Sequence, residues 1–404
     1  MPLEKKQEGR YNKKNMKHIF ILGNNPELSI AEIKAVFSDL EIIEAGRDFL
    51  IGENDSFYFQ EAMARLGGTI KIGEIFGEKI DEEKIINEII SRKGTGKAVF
   101  GFSFYGVKPG LKIGMRIKGE LKKRGINSRL VTSREKTLSS VIVKKEKCLD
   151  FLIGPDFLGV TRAAQDFEEY GERDYGRPRS DARSGMLPPK AAKMMINLSG
   201  AGFDAVILDP FCGSGTILTE ATAMGFTNLV GCDISLKAVK NTQENLEWLV
   251  EKLQIQNHKS QINSKFNPPA GGQNSKNQLS IKIFQGDAKE LSKKIKAGEI
   301  DAIVTEPYLG PPLKGGESEA MIKKISDELK GLYLTAFSQF KKVLAPAGRA
   351  VIVFPEWHLG GKIYPLDIFA DVAKLGFNRL DENDLMYKRE GQKVWRRVVI
   401  YDNF

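Results

Sequence analysis

Three apolar runs of this chain end in an aspartate: "AVILD" at Asp209, "LVGCD" at Asp233 and "IFQGD" at Asp287. A fourth, "DAIVTEPY", ends in Glu306, Pro307 and Tyr308. Carboxylates at the ends of buried strands face the crevice where open α/β sheets bind ligands. After Asp209 the turn "PFCGSGT" carries Gly213 and Gly215, which let the backbone bend sharply and approach a ligand. Thr216 then opens a helix whose free N–H groups attract negative charge. Each aspartate taken alone is better explained as a helix cap or a solvated loop carboxylate. Three at successive strand ends are not.

Three ligand classes compete for such a turn. A nucleoside triphosphate loop needs a lysine after its last glycine, and Gly215 is followed by Thr216 and Ile217. A dinucleotide fold wants a third glycine three residues beyond Gly215, where Leu218 stands. S-adenosylmethionine has a carboxylate, an ammonium and a ribose but no pyrophosphate, and suits an acidic strand end better. Asp233, about twenty residues after the turn, can accept both ribose hydroxyls. Asp287 can accept from an adenine amino group. The stretch "TEPYLGPP" reads as a plain loop, a nucleotide-binding edge, or a site where a planar substrate is stacked and hydrogen-bonded.

The elements that must hold these residues follow from periodicity. Beyond residue 185 strand and helix patterns alternate: "AVILD" then "ILTEATAMG", "NLVGCDIS" then "LKAVKNTQENLEWLVEKL". Such alternation predicts a parallel sheet with helices on both faces. "DLMYKREGQKVWRRVVIY" predicts a closing hairpin. The first 160 residues mix strands with few helices. "KHIFILGN", "GKAVFGFSFYGV", "SRLVTS", "LSSVIVKKE" and "CLDFLIG" read as strands there, "LSIAEIKAVF" and "LKIGMRIKGELKKRG" as helices. That predicts small α+β modules.

The division by composition is a disordered basic tail at 1–16, modules at 17–95 and 96–160, a linker at 161–184, and a domain at 185–404 with a disordered insertion at 253–279. The chain has 404 residues, 41% hydrophobic and 28% charged, as a soluble globular protein does. Cys148, Cys212 and Cys232 are too scattered for a disulfide framework or a zinc site, and His18, His258 and His358 stand apart, so no metal is expected. A net charge of +9 favours an anionic partner, nucleic acid first, although charge alone also serves solubility. No apolar stretch spans a membrane and no signal-peptide core follows the basic start, so the expected location is the cytoplasm.

With these motifs in hand, the part from about Gly185 resembles the class I S-adenosylmethionine-dependent methyltransferases of the RNA methylase family. "DPFCGSGT", "GCDIS", "GDA" and "TEPY" fall in that family's order. "RDYGRPRSDARSGMLPPKAAKMMINL" is similar to the linker and first helix of tRNA guanosine-10 2-amino methyltransferases of archaea and eukaryotes. The first 160 residues are similar, more weakly, to that group's ferredoxin-like segment (17–95) and RNA-binding THUMP domain (96–160).

The resemblance implies a Rossmann-like α/β methyltransferase domain with a seven-stranded, mostly parallel sheet and C-terminal hairpin, behind the two smaller modules. It implies tRNA as partner and methylation of a guanosine 2-amino group; whether a small activator subunit takes part stays open. It assigns Asp209 with the Gly213/Gly215 turn to the methionine part of the cofactor, Asp233 to its ribose and Asp287 to its adenine. Pro188 and Pro189 shape a wall nearby, and Phe211, Thr216, Ile234 and Ala288 complete the cofactor set.

At the fourth strand the family carries Asp or Asn, Pro, Pro and an aromatic. Here Glu306, Pro307 and Tyr308 keep an acceptor, a rigid backbone and a ring, with the longer Glu altering the acceptor geometry. Lys118, Lys122, Arg129 and Arg134 are the expected RNA contacts, though each lysine also fits a solvated helix face. Alternative functions are a ribosomal RNA guanine or DNA amino methyltransferase, and a non-catalytic RNA-binding protein that keeps the fold.

Overall fold

Successive strand residues point to opposite faces, and in the strands Val206–Asp209, Ile300–Thr305 and Leu344–Leu359 both sets are apolar. Leu208, Ile303, Ile352 and Phe354 enter one core with Phe337 and Phe340 of the helix Glu319–Val343. Ile207, Ala302, Val304, Val351 and Val353 enter another, with Leu218 of the helix Thr216–Met224 and Met195 of Pro189–Leu198. A sheet apolar on both faces must be covered on both. The fold is that of a computed structural model, which describes residues 16–54, 57–180, 186–262, 279–380, 384–389 and 391–403.

Seven strands of this sheet lie in one path: Ser280–Gln285, Asn228–Asp233, Val206–Asp209, Ile300–Thr305, Leu344–Leu359, Val394–Asn403 and Phe377–Arg379. The first five are parallel, and Val394–Asn403 runs antiparallel to Leu344–Leu359. Lys362–Pro365 and Leu385–Tyr387 pair beside the path, so among the described residues the sheet has nine strands where seven were expected. Leu385–Tyr387 against Val394–Asn403 is the hairpin read from the sequence.

The described residues form two compact units, 16–23 with 37–64 and 69–167, and 24–36 with 65–68 and 168–403. In the first, eight strands make one sheet, ordered Glu41–Ala45, Phe49–Asn54, Met16–Leu22, Thr69–Gly77, Leu158–Ala164, Leu149–Ile153, Ala98–Phe104, Ser128–Val131. The expected boundary between 95 and 96 falls within this sheet, because Thr69–Gly77 pairs with Leu158–Ala164. Buried Lys71 bridges the join, donating to Asp150 Oδ2 at 2.7 Å and Ser103 Oγ at 3.1 Å.

Several local readings change. "LSSVIVKKE", rich in β-branched residues, contains the helix Ser140–Lys145, because Ser139 Oγ caps it by accepting from Ile142 N at 3.3 Å. The expected linker 161–184 holds the end of the strand Leu158–Ala164 and the helix Phe167–Tyr175, whose Tyr170 and Arg173 are buried. Of the expected disordered segments, 1–15 and 263–278 lie outside the described residues, while Met16 starts a strand and the helix Leu236–Ile262 runs past residue 253.

One change bears on the second unit. The helix Pro26–Val36, expected in the N-terminal module, belongs with residues 168–403. Leu28 enters the same core as Leu187 and Met195. Glu32, fully buried, accepts from Gly67 N at 2.7 Å, Gly68 N at 2.8 Å and Asn197 Nδ2 at 2.7 Å. Burial pushes its carboxyl up to about 7, against the pull of those donors.

Candidate active site

The strands Val206–Asp209, Asn228–Asp233 and Ile300–Thr305 point their C-terminal ends the same way, and a cleft of about 730 Å³ opens there. Asp209, Asp233, Asp287 and Glu306 all line it. The cleft therefore gathers carboxylates as far apart in the chain as Asp209 and Glu306, at the strand ends where open α/β sheets bind ligands.

Gly215, the cap of the Thr216–Met224 helix, has φ +83°, and a Cβ there would stand 2.9 Å from Thr242 Cγ2. Glycine is needed at that position for conformation and for space. Gly213 also has a positive φ, and its N–H donates to Asp233 Oδ2 at 2.9 Å. The first turn and the second strand end are thus fastened to each other. Gly213 and Thr216 line the cleft, whereas Gly215 and Pro188 do not. Pro188 is buried as the N-cap of Pro189–Leu198, and Met186 and Leu187 form the wall instead.

Asp209 is buried, and its Oδ1 accepts from Thr305 Oγ1 at 2.7 Å and Phe211 N at 3.2 Å. Burial raises its carboxyl to about 7, while Thr305 and Phe211 oppose the shift. Its Oδ2 has no donor among the described residues. Asp233 Oδ1 accepts from Ser235 N at 2.8 Å. Asp287 caps a short turn through Lys289 N at 2.9 Å and faces Lys289 Nζ at 3.5 Å. Capping and cleft-lining coexist in these residues. Beside Asp233, Ile234 is 69% exposed, an apolar wall that a flat ring would cover.

At the fourth strand end Glu306 meets a residue the sequence reading did not find. Arg396, buried on Val394–Asn403, donates from Nε to Glu306 Oε2, and from Nη2 to Oε1 at 3.3 Å. Burial pushes the Glu306 carboxyl up and the guanidinium pulls it down. Pro307 is buried and Tyr308 is 58% exposed at the rim. Tyr333 donates its hydroxyl to the Tyr308 carbonyl at 2.7 Å, fixing the backbone beneath the ring.

In the other unit, Lys118 and Lys122 lie on the exposed face of the helix Leu111–Lys123. Arg129 pairs with Glu146, and Arg134 is exposed in the loop after the strand Ser128–Val131. Among the described residues no group of acids, histidines and cysteines could hold a metal ion, and no helix is long and apolar enough to cross a membrane.

Comparison with known proteins decides the family. A probable tRNA (guanine(10)-N2)-dimethyltransferase of Methanothermococcus thermolithotrophicus is 30% identical over 158 residues, 38% of this chain and 82% of that protein. The chain belongs to that family. A tRNA (guanine(10)-N2)-dimethyltransferase of Methanothermobacter thermautotrophicus is 25% identical over 329 residues, 76% of this chain and 83% of that one. Residues 177–363 match the RMKL-like methyltransferase domain, and every residue lining the cleft, from Met186 to Leu332, falls in that span. TrmN from Thermus thermophilus shares the fold, with a TM-score of 0.53 at 16% identity, covering 96% of this chain and 100% of that one. The chain is an S-adenosylmethionine-dependent methyltransferase. Its residues fit the cofactor: free acceptor atoms for an ammonium, carboxylates at the second and third strand ends, and an open apolar wall.

Proposed function

We propose that this protein methylates the exocyclic 2-amino group of a guanosine in tRNA, position 10 in keeping with its relatives. The observation that carries the reading is the convergence of three strand-end aspartates and the Glu306-Pro307-Tyr308 motif on one cleft. When bound, S-adenosylmethionine supplies a methyl group on a positive sulfonium. Asp233 would accept from its ribose hydroxyls, Asp287 from its adenine amino group, and Asp209 Oδ2 from its ammonium.

An amino group conjugated to a base is a poor nucleophile. The Glu306 carboxylate and the Pro307 carbonyl accept from its two N–H bonds and draw the lone pair out of conjugation. Tyr308 stacks on the base, a contact worth roughly 1–3 kcal/mol. Orientation of this kind can lower the barrier by several kcal/mol, and little proton transfer is needed before the displacement.

The first unit we read as the ferredoxin-like segment and THUMP-like domain of the family. Exposed Lys118, Lys122 and Arg134, with Arg129, would meet tRNA phosphates. Mass spectrometry of nucleosides from unmodified tRNA incubated with the protein and S-adenosylmethionine tests the whole reading. Singly or doubly methylated N2 of guanosine is expected. Methyl groups on adenosine or cytidine would replace the guanine assignment, and bound but unmethylated tRNA would leave an RNA-binding protein.

A further inference from the structure

Arg177 is 5% exposed, and its contacts are weak ones for a cation. Nη1 donates to Thr216 Oγ1 at 2.8 Å, Nη2 to the Met186 thioether at 2.8 Å, and Nε is buried with no partner. The acids nearest in charge do not pair with it: Glu220 is taken by Arg173 at 2.6 Å, and Asp174 acts only at a distance. A buried charge without a counter-charge is costly, and a hydroxyl and a thioether do not compensate it. Both of its contacts, Thr216 and Met186, line the cleft.

The place is suited to an anion in a second way. Thr216 is the first residue of a helix with no side-chain cap, so the N–H groups of its first turn are open beside the guanidinium. The rest of the cleft is acidic, with Asp209, Asp233, Asp287 and Glu306 in its lining and Lys289 already beside Asp287. A zwitterionic ligand would be sorted by this field, its ammonium toward the acids and its carboxylate toward the one end that carries positive charge.

We propose that Arg177 and the first turn of the Thr216–Met224 helix form the subsite for the carboxylate of the cofactor's methionine end. The proposal rests on the reading of the cleft as the S-adenosylmethionine site. A carboxylate is a much stronger acceptor than a thioether, so it displaces Met186 from Nη2 and supplies the missing counter-charge.

Calorimetry with two ligands separates this from a structural role. S-adenosylhomocysteine carries the carboxylate; 5′-methylthioadenosine keeps the adenine, ribose and sulfur but ends before it. Arg177→Met should weaken S-adenosylhomocysteine roughly ten- to hundredfold, the range of one charge-assisted hydrogen bond, and leave methylthioadenosine unchanged. Arg177→Lys should recover part of the loss, and serves the same comparison if Arg177→Met does not fold. Equal weakening of both ligands, or of neither, overturns the proposal. If the unaltered protein binds neither ligand, the cofactor reading itself fails and takes the subsite with it.

Discussion

The guanidinium of Arg396 and the carboxylate of Glu306 form a buried ion pair between the closing hairpin strand and the fourth strand end, through two N–H···O contacts. The pair has a chemical consequence. Burial alone would favour the neutral acid at Glu306, and a neutral acid is a poor acceptor for a substrate amino group. The Glu306 carboxyl is raised on balance, and Arg396 opposes that shift, favouring the charged acceptor.

Arg396→Met should therefore lower single-turnover methyl transfer at neutral pH and let it recover as pH rises, because the Glu306 carboxyl then titrates upward. The unaltered protein should reach its plateau at a lower pH than the variant, because the guanidinium opposes the upward shift. Removing one partner of a buried pair also costs about 3–5 kcal/mol of stability, so each rate is to be read on protein shown to be folded by circular dichroism. A profile that falls without changing shape would make the pair purely structural.

Tyr308 is exposed and its backbone is held independently of its ring, through Tyr333. Tyr308→Phe should thus keep most activity, while Tyr308→Ala should lose roughly 1–3 kcal/mol of stacking, read as a higher KM for tRNA. Comparable damage in both variants would point to the hydroxyl instead of the ring.

Asp233 holds Gly213 N and Ser235 N as well as facing the cleft. Asp233→Ala should weaken cofactor binding by about 1.5–3 kcal/mol, measured by calorimetry. An unchanged affinity would remove the ribose role.

Asp209 sets a pH dependence whose sign is fixed. Its folded value, about 7, lies above its ordinary 3.8, so the stability linked to it is complete below about pH 4 and is lost as pH rises through about 7. Each pH unit inside that window carries at most about 1.4 kcal/mol. Glu32, also raised to about 7, adds to the same slope. Thermal denaturation should give a lower Tm at pH 8 than at pH 5 (on the order of a few degrees), and Asp209→Asn should flatten the trend. A Tm that rises across that window would contradict both assignments.

A fragment beginning at Gly185 is the natural cut from sequence, yet it would lack Glu32 and Leu28. Gly67 and Gly68 belong to the same clamp and would go with them, leaving Asn197 and the apolar face beside Leu187 and Met195 open to water. Such a fragment should be less stable than the intact chain by several kcal/mol, on the order of the lost apolar burial. Equal Tm values for the two would show that the clamp contributes little.

The strand ends were legible because each combines an apolar run with a carboxylate, and the glycine turn because positive φ leaves a composition signature. The ion pair between Glu306 and Arg396 was not, since 90 residues separate them and nothing local in "KVWRRVV" distinguishes Arg396 from Arg397. Arg177 was hidden for a related reason: in a segment where buried Arg173 and Arg177 stand beside exposed Arg179, burial has no sequence mark. The allegiance of Pro26–Val36 was hidden because its partners come from two other stretches, and its amphipathic pattern says that a face is buried but not against what.

The Glu32 clamp also orders events in time. During synthesis the helix Pro26–Val36 emerges while Asn197, 165 residues downstream, has not yet been made. The first unit's strands on either side of it, Met16–Leu22 and Phe49–Asn54, can pair meanwhile, leaving the helix with Leu28 uncovered. Completion of the second unit then waits for the closure of a very long loop, the kind of contact that slows folding. Until that closure the apolar face of this helix, Leu28 included, has no core to enter, and a helix of this length is marginal without one.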